Sequence, residues 1–305
     1  MPRILPTPWK LLVAGVVYLA LMFFGHLSDH LILFPTTAPI NSGGAVRKII
    51  PFEKGELEIW TAQSRRAQLQ GRGDIFILRF YGNADRADRW AAMEAEMWND
   101  RAVEIWGMNY PGFGGSTGPA RLARIGPAAV AAFDALKRHA ANEAAVQSDV
   151  PSGPTPNPAP RTANTKAPIV LFGTSIGVTA ALHVAASRPT EIAGLILQNP
   201  PPLREVILRQ FGWWNLWLLA GPVALQIPRD LDCIANARMN RAPAIFLLAE
   251  RDEIVAPRFH RLVVDAYAGE KRIIELHGAH HNDPIEGTAL KELNDALGWL
   301  LAKGR

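Results

Sequence analysis

Cysteine is almost missing from this 305-residue chain. Cys233 stands alone, so no intrachain disulfide can form, and the fold must be held by a core. Charge of one sign is scarce too. The formal net charge is +4, and no basic cluster carries interleaved aromatics, which excludes a nucleic-acid partner. No small-x-small cleavage site follows the N-terminal apolar run Leu11 to Gly25; Thr36-Thr37-Ala38 lies late and Pro39 follows it. A cleaved signal peptide is therefore disfavoured. A buried helix ahead of the first strand has no obvious slot. The run, extended by Trp9 and Leu27, is read as a single membrane anchor over residues 1–33. Arg3 and Lys10 before it predict a cytoplasmic N-terminus and a main domain on the non-cytoplasmic side. The segment supplies no catalytic group, so residues 34–305 are expected to stand without it.

What is present is a large apolar content, 49% of residues, enough for one substantial α/β core. Apolar runs at Val46–Phe52, Leu57–Gln63, Asp74–Tyr81, Val103–Trp106, Ile169–Phe172, Ala193–Gln198, Pro243–Ala249 and Arg272–Leu276 read as strands. Helical patterns alternate with them. One carries Trp90, Met93, Met97 and Trp98 as expected core, another follows Pro127 with Val130, Phe133 and Leu136 on one face, and a third closes the chain through Leu290, Leu293, Leu297 and Leu300. The alternation predicts a doubly wound, mostly parallel sheet. Two stretches stand outside it. Residues 143–166 hold five prolines without an apolar period and read as a flexible surface insertion. Residues 200–241 open on Pro200-Pro201-Pro202 and carry F-G-W-W-N-L-W-L-L, too apolar for a solvated loop, and read as a cap.

Gly173-Thr174-Ser175-Ile176-Gly177 fits G-x-S-x-G between a buried strand and an Ala-rich helix, the strand–turn–helix setting of a nucleophile elbow. A second match, Gly114 to Gly118 around Ser116, lies among Asn109, Pro111, Gly112 and Pro119 and reads as a loop. A serine hydroxyl needs a base, and the base an acid to orient it. Both follow Ser175 at strand ends. Asp252 is the first candidate acid, with Glu250 and Glu253 as alternatives. His280 and His281 are candidate bases that spacing does not separate. His26, His30, His139, His183 and His260 are assigned packing or surface roles. His277, His280, His281 and Asp283 form a histidine-rich loop without a second ligand set, so no metal or cofactor is expected. The oxyanion donors are predicted at the N–H groups of Ile176 and Asn83.

Together Phe80-Tyr81-Gly82-Asn83-Ala84, Tyr110 to Gly118, the elbow, Asp252-Glu253-Ile254-Val255 and Gly278-Ala279-His280-His281-Asn282-Asp283 resemble the motifs of membrane-attached serine hydrolases of the α/β-hydrolase superfamily, the protein depalmitoylase-like branch, over about residues 34–305. The resemblance implies an α/β-hydrolase fold and places the base at His281, by its H-N-D, and Ser116 in the loop after the fourth strand. It departs at Tyr81, which replaces a histidine in the site wall, and at Ala256-Pro257, where the proline is displaced by one position. The expectation is a membrane-anchored hydrolase of esters or thioesters of apolar, lipid-like acyl groups, with Tyr81, Trp213 and Trp217 binding substrate. A peptidase, an acyltransferase or a non-catalytic tethered binding module are the alternatives.

Overall fold

A computed structural model describes residues 7–24, 26–148 and 167–304. Eight strands form one sheet: β1 (Val46–Phe52), β2 (Gly55–Gln63), β3 (Ile75–Phe80), β4 (Val103–Met108), β5 (Ile169–Thr174), β6 (Gly194–Gln198), β7 (Ala244–Ala249) and β8 (Lys271–Leu276). Their spatial order is β1-β2-β4-β3-β5-β6-β7-β8. β2 runs antiparallel to both β1 and β4, and every later pairing is parallel. The expected strands and the mostly parallel sheet are all present.

The pleat divides the core in two. On β3, Phe76, Leu78 and Phe80 join one apolar cluster, while Ile75 and Ile77 join the other. Period-two burial on both faces is what a covered parallel sheet requires. The first cluster takes in side chains of α5 (Leu122–Ser148) and α6 (Ile176–Ser187). The second takes in those of the helices Ala87–Glu96 and Gly287–Lys303. Arg79 shares the second face and is buried there. Its guanidinium lies 2.9 Å from Glu94 and stacks over the rings of Phe172 and Tyr81.

Two helix expectations need adjustment. α5 begins at Leu122 and carries Pro127 within its second turn, five residues after its start. Pro127 lies past the four N–H groups that a helix start leaves unpaired, so it takes from the Ala123 carbonyl its i−4 donor and costs the first turns one hydrogen bond. Met93 is 53% exposed rather than core, whereas Trp98 is buried and Trp90 and Met97 are half-buried. α5 continues through Ser148, which takes in the first residues of the expected insertion; residues 149–166 lie outside the described residues.

The membrane anchor is overturned. Helix α1 (Pro8–Phe24) has 17 residues, and no helix among the described residues is long and apolar enough to cross a membrane. At 1.5 Å per residue it spans about 25 Å, short of the roughly 30 Å hydrocarbon core. The orientation and the non-cytoplasmic placement that rested on the anchor go with it, as does the membrane as a partner through this helix. The short helix α2 (Leu27–Ile32) and the residues after it are instead built into the domain. Asp29 is buried and accepts from the Leu122 N–H at 2.8 Å, Ser28 donates to Gln226 at 3.1 Å, and Leu33 lies in the core. The boundary expected at residue 33 thus falls inside a packed segment. Deleting residues 1–24 should leave stability in urea nearly unchanged. Deleting 1–33 should cost about 3 kcal/mol or more, from the loss of Leu33 burial and the hydrogen bonds of Asp29 and Ser28.

Candidate functional site

The loops after β3, β5, β6, β7 and β8 all leave the same edge of the sheet, because those strands are parallel. Ser175 follows β5 with φ 52° and ψ −125°, an uncommon backbone state for a side chain with a Cβ. Its neighbours explain how it is held. A Cβ on Gly173 would come within 2.5 Å of the Gly177 carbonyl, and one on Gly177 would fall on the Phe80 carbonyl oxygen. Both glycines are required for the strand and helix to close this tightly. The Ser175 N–H donates to Gln198 O at 2.9 Å, which fixes the turn to the neighbouring strand.

Three side chains from three loops meet here. Ser175 Oγ lies 3.0 Å from His281 Nε2, and His281 Nδ1 lies 2.6 Å from Asp252 Oδ2. An ionised carboxylate can only accept, so Nδ1 carries the proton and Nε2 is free to accept from the serine. Asp252 and His281 are both buried. Burial would raise the Asp252 pKa, but the close approach of the His260 ring together with hydrogen bonds from His281 and the Val255 N–H outweighs it and holds the carboxyl well below the usual carboxylate range. Its other oxygen accepts the N–H groups of Ile254 at 2.9 Å and Val255 at 2.7 Å. The alternatives lie elsewhere. Glu253 sits 3.0 Å from His280 and Glu250 3.8 Å from His277, both pairs at the surface. Those histidines do not gather with His281 and Asp283 as a ligand set. The one group of metal-capable side chains among the described residues is Glu104, His139 and Glu143, away from Ser175.

Ser116, the competing motif, is spent on structure. It is buried, accepts from the Glu58 N–H at 2.8 Å and donates to Asn109 O at 2.8 Å. Ser116→Ala should cost about 1–3 kcal/mol in urea unfolding, because it leaves a buried amide and a carbonyl unpaired.

An apolar cavity of about 350 Å³ opens at Ser175. Ile176 and Asn83 line it beside the serine. Ile176 is the first residue of α6, so its N–H is one of the donors that a helix cannot satisfy internally. The far walls come from two places. Leu203, Val206, Ile207, Phe211, Leu219 and Val223 belong to the excursion after β6, and Leu31, Ile32 and Phe34 to the segment after α1. Of the expected aromatics, Trp213 is not among the lining residues and is 77% exposed on the outside, while the side chain of Trp217 lies outside the described residues. Helical spacing explains the difference: the excursion folds as short helical and π-helical turns, including Ile207–Phe211 and Leu216–Ala220, so neighbouring residues face opposite ways. Tyr81 does not line this cavity either. Its hydroxyl donates to Glu94 at 3.0 Å, beside a second, polar cavity of about 800 Å³ that His281, Arg79, Thr174 and Gln198 also line. Burial, with the charge of Glu94, pushes the Tyr81 phenol pKa well up.

Three side-chain roles went unread in the sequence. Asn199, fully buried at φ 50°, accepts the Ala249 N–H at 2.9 Å and donates to His281 O at 2.9 Å, tying the histidine loop to the end of β7. An asparagine directly after a buried strand was its only signal, since asparagine tolerates this backbone better than most residues. Asn83 holds the residues after α2: its amide donates to Ile32 O and accepts the Phe34 N–H at 2.9 Å. His260, assigned to packing, is buried against Asp252.

No protein-family model matches the chain. Among curated proteins it is 28% identical over 291 residues to the uncharacterized protein Rv2307c of Mycobacterium tuberculosis, covering 91% of this chain and 88% of that one. Among solved structures it is similar to Est1E from Butyrivibrio proteoclasticus, with a TM-score of 0.59 at 13% identity over 84% of this chain and 99% of the other. It is also similar to the Pyrococcus furiosus esterase Pf2001, with a TM-score of 0.58 at 14% identity over 89% and 96%. An acylaminoacyl peptidase of Pyrococcus horikoshii gives a TM-score of 0.53 at 13% identity, covering 84% of this chain and 40% of that one. The chain has the α/β-hydrolase fold.

Proposed function

We propose that this protein is a serine hydrolase of carboxylic esters or thioesters with apolar acyl groups. The observation that carries the reading is the unbroken relay from Asp252 through His281 to Ser175 at the mouth of an apolar cavity. Ser175 Oγ attacks the acyl carbonyl as His281 Nε2 takes its proton. Asp252 holds the ring in the tautomer that makes this transfer possible and stabilises the imidazolium that results. The N–H groups of Ile176 and Asn83 receive the oxyanion. His281 then gives its proton to the departing alkoxide or thiolate. Water, deprotonated by the same imidazole, cleaves the acyl-enzyme and restores the serine.

The acyl chain occupies the cavity under the excursion at 200–241, which acts as a cap through Val206, Ile207, Phe211 and Leu219. That lining favours hydrocarbon over charge. The esterase neighbours accord with the reading at the level of fold. Whether the substrate is the acylated protein that the motif resemblance implies is a narrower form of the same proposal.

Ser175→Ala should lose fluorophosphonate labelling and lower kcat by several orders of magnitude with the unfolding curve retained. His281→Ala should be comparably damaging, while His280→Ala and His277→Ala stay near wild type, since their rings pair with surface carboxylates. Labelling retained in Ser175→Ala would defeat the assignment, and an unlabelled wild type would favour a binding module. Chain-length dependence tests the cavity. Each methylene buried is worth about 0.8 kcal/mol, roughly fourfold in kcat/KM, until the cavity is full. Val206→Trp should lower kcat/KM on dodecanoyl esters at least tenfold while sparing acetyl esters. Trp213→Ala should leave the profile unchanged. Assays over acetyl to dodecanoyl esters, thioesters and amides read all of this directly.

A further inference from the structure

His260 is the one fully buried histidine in the described chain, and relay chemistry of the ordinary kind has no use for it. It sits in the first turns of the helix Pro257–Ala266, whose start is fixed by the loop that carries Asp252. Its Nε2 is 3.1 Å from Asp252 Oδ2, the same oxygen that His281 Nδ1 approaches at 2.6 Å. Neither ring nitrogen of His260 has a well-aligned hydrogen-bond partner, so the N–H approaches the carboxylate off-axis. Its chain neighbour Phe259 packs with Val206 and Val255 in a small apolar cluster. A fully buried imidazole without an aligned partner costs free energy that a phenylalanine or leucine of similar size would not. A purely space-filling role does not account for it.

The Asp252 carboxylate shows what is missing without it. Oδ1 is pinned by two backbone amides, Ile254 and Val255. Those bonds fix one oxygen and leave the group free to pivot about it. Oδ2, the oxygen that must stay in line with His281, has only imidazoles around it.

We propose that His260 is a positioning residue that stops this pivot, holding Asp252 Oδ2 on the His281 axis. The proposal rests on the serine hydrolase reading for its catalytic consequence, and on geometry alone for its structural one. With its proton on Nε2, His260 donates to Oδ2, the oxygen that the backbone amides do not hold. Hydrogen bonds of an apo site are often long or misaligned and close up only in the substrate or transition-state complex. The arrangement makes the acid of this site a carboxylate clamped at both oxygens.

The test uses the full chain with His260→Phe, which fills the space without a donor, His260→Met, which does so with less bulk, and His260→Gln, which restores an N–H. The readouts are kcat and KM on a short-chain ester, the pH profile of kcat/KM, and the downfield proton resonance of the His281 Nδ1–H bonded to Asp252. Loss of the clamp should lower kcat ten- to a hundredfold with KM unchanged. The imidazolium loses part of its stabilisation, so the acidic limb should move to lower pH and the resonance upfield. His260→Gln should recover most of each. An unchanged limb and resonance in His260→Phe and His260→Met would overturn the proposal. So would the opposite shift, upward and downfield, which would mean that His260 competes with His281 for the oxygen. Should wild-type protein neither turn over ester nor label with fluorophosphonate, the hydrolase reading falls and the resonance alone decides the clamp: an upfield move supports it and no move overturns it.

Discussion

Everything at this site depends on one turn that the local chain does not favour. Ser175 is held at positive φ, where a residue with a Cβ is strained by about 1–3 kcal/mol. Nothing in the tripeptide around it stabilises that state. The surroundings impose it: β5 is hydrogen-bonded between β3 and β6, α6 is packed almost wholly in the core, and Gly173 and Gly177 let the two elements close to near contact. The parallel sheet thus serves as a clamp. Because β7 and β8 run alongside in the same direction, their following loops deliver Asp252 and His281 to the same edge without a long search. The strain at the elbow and the relay geometry are two consequences of one packing arrangement.

The same edge separates two environments. Asn83 lies on both, in the wall of the apolar cavity at Ser175 and in that of the polar cavity beside His281. On the polar side a buried network runs from Glu94 through Arg79 to Thr174 and Gln198. Each charge there has a partner, as burial demands. On the apolar side no charged residue lines the wall among the described residues. In the proposed reaction this polarity gives an amphiphilic ester a preferred direction, with the hydrocarbon under the cap and the departing group toward the imidazole that must protonate it.

How far the sequence reaches follows from the kind of signal each feature leaves. The strands were legible because a short, continuous apolar run between turn residues suits a buried strand and little else. Ser175 was legible because its context is local, and Ser116 could be set aside for the same reason. Its hydroxyl is in fact consumed by Glu58 and Asn109, contacts 58 and 7 residues away. The substrate-facing side chains were not legible. Trp213 looked like a pocket residue by size, yet which face of a short irregular helix turns inward is set by packing from distant residues, and here it turns outward. Tyr81 fell to a partner, Glu94, that no spacing rule connects to it. The anchor reading failed because apolar length was judged with extension at both ends, whereas the helix stops at Phe24 and the chain after it turns into the domain.

That turn has a consequence for the site as a whole. Residues read as a tether supply Leu31, Ile32 and Phe34 to the cavity wall, and their backbone is fastened by the Asn83 side chain. Asn83 is also the residue whose backbone N–H is proposed to receive the oxyanion. A single asparagine therefore serves two ends: its side chain fastens the cavity wall, and in the proposed reaction its main chain faces the carbonyl. Its side chain cannot release the strap without freeing the loop that carries the amide, because Oδ1 bonds the Phe34 N–H and the Ala84 N–H at once. In the proposed reaction, closure of the cavity wall and alignment of the oxyanion donor are in this way coupled through one side chain. The excursion after β6 and the segment after α1, far apart in sequence, both line the cavity at Ser175 because each is fixed beside the end of a strand of one sheet.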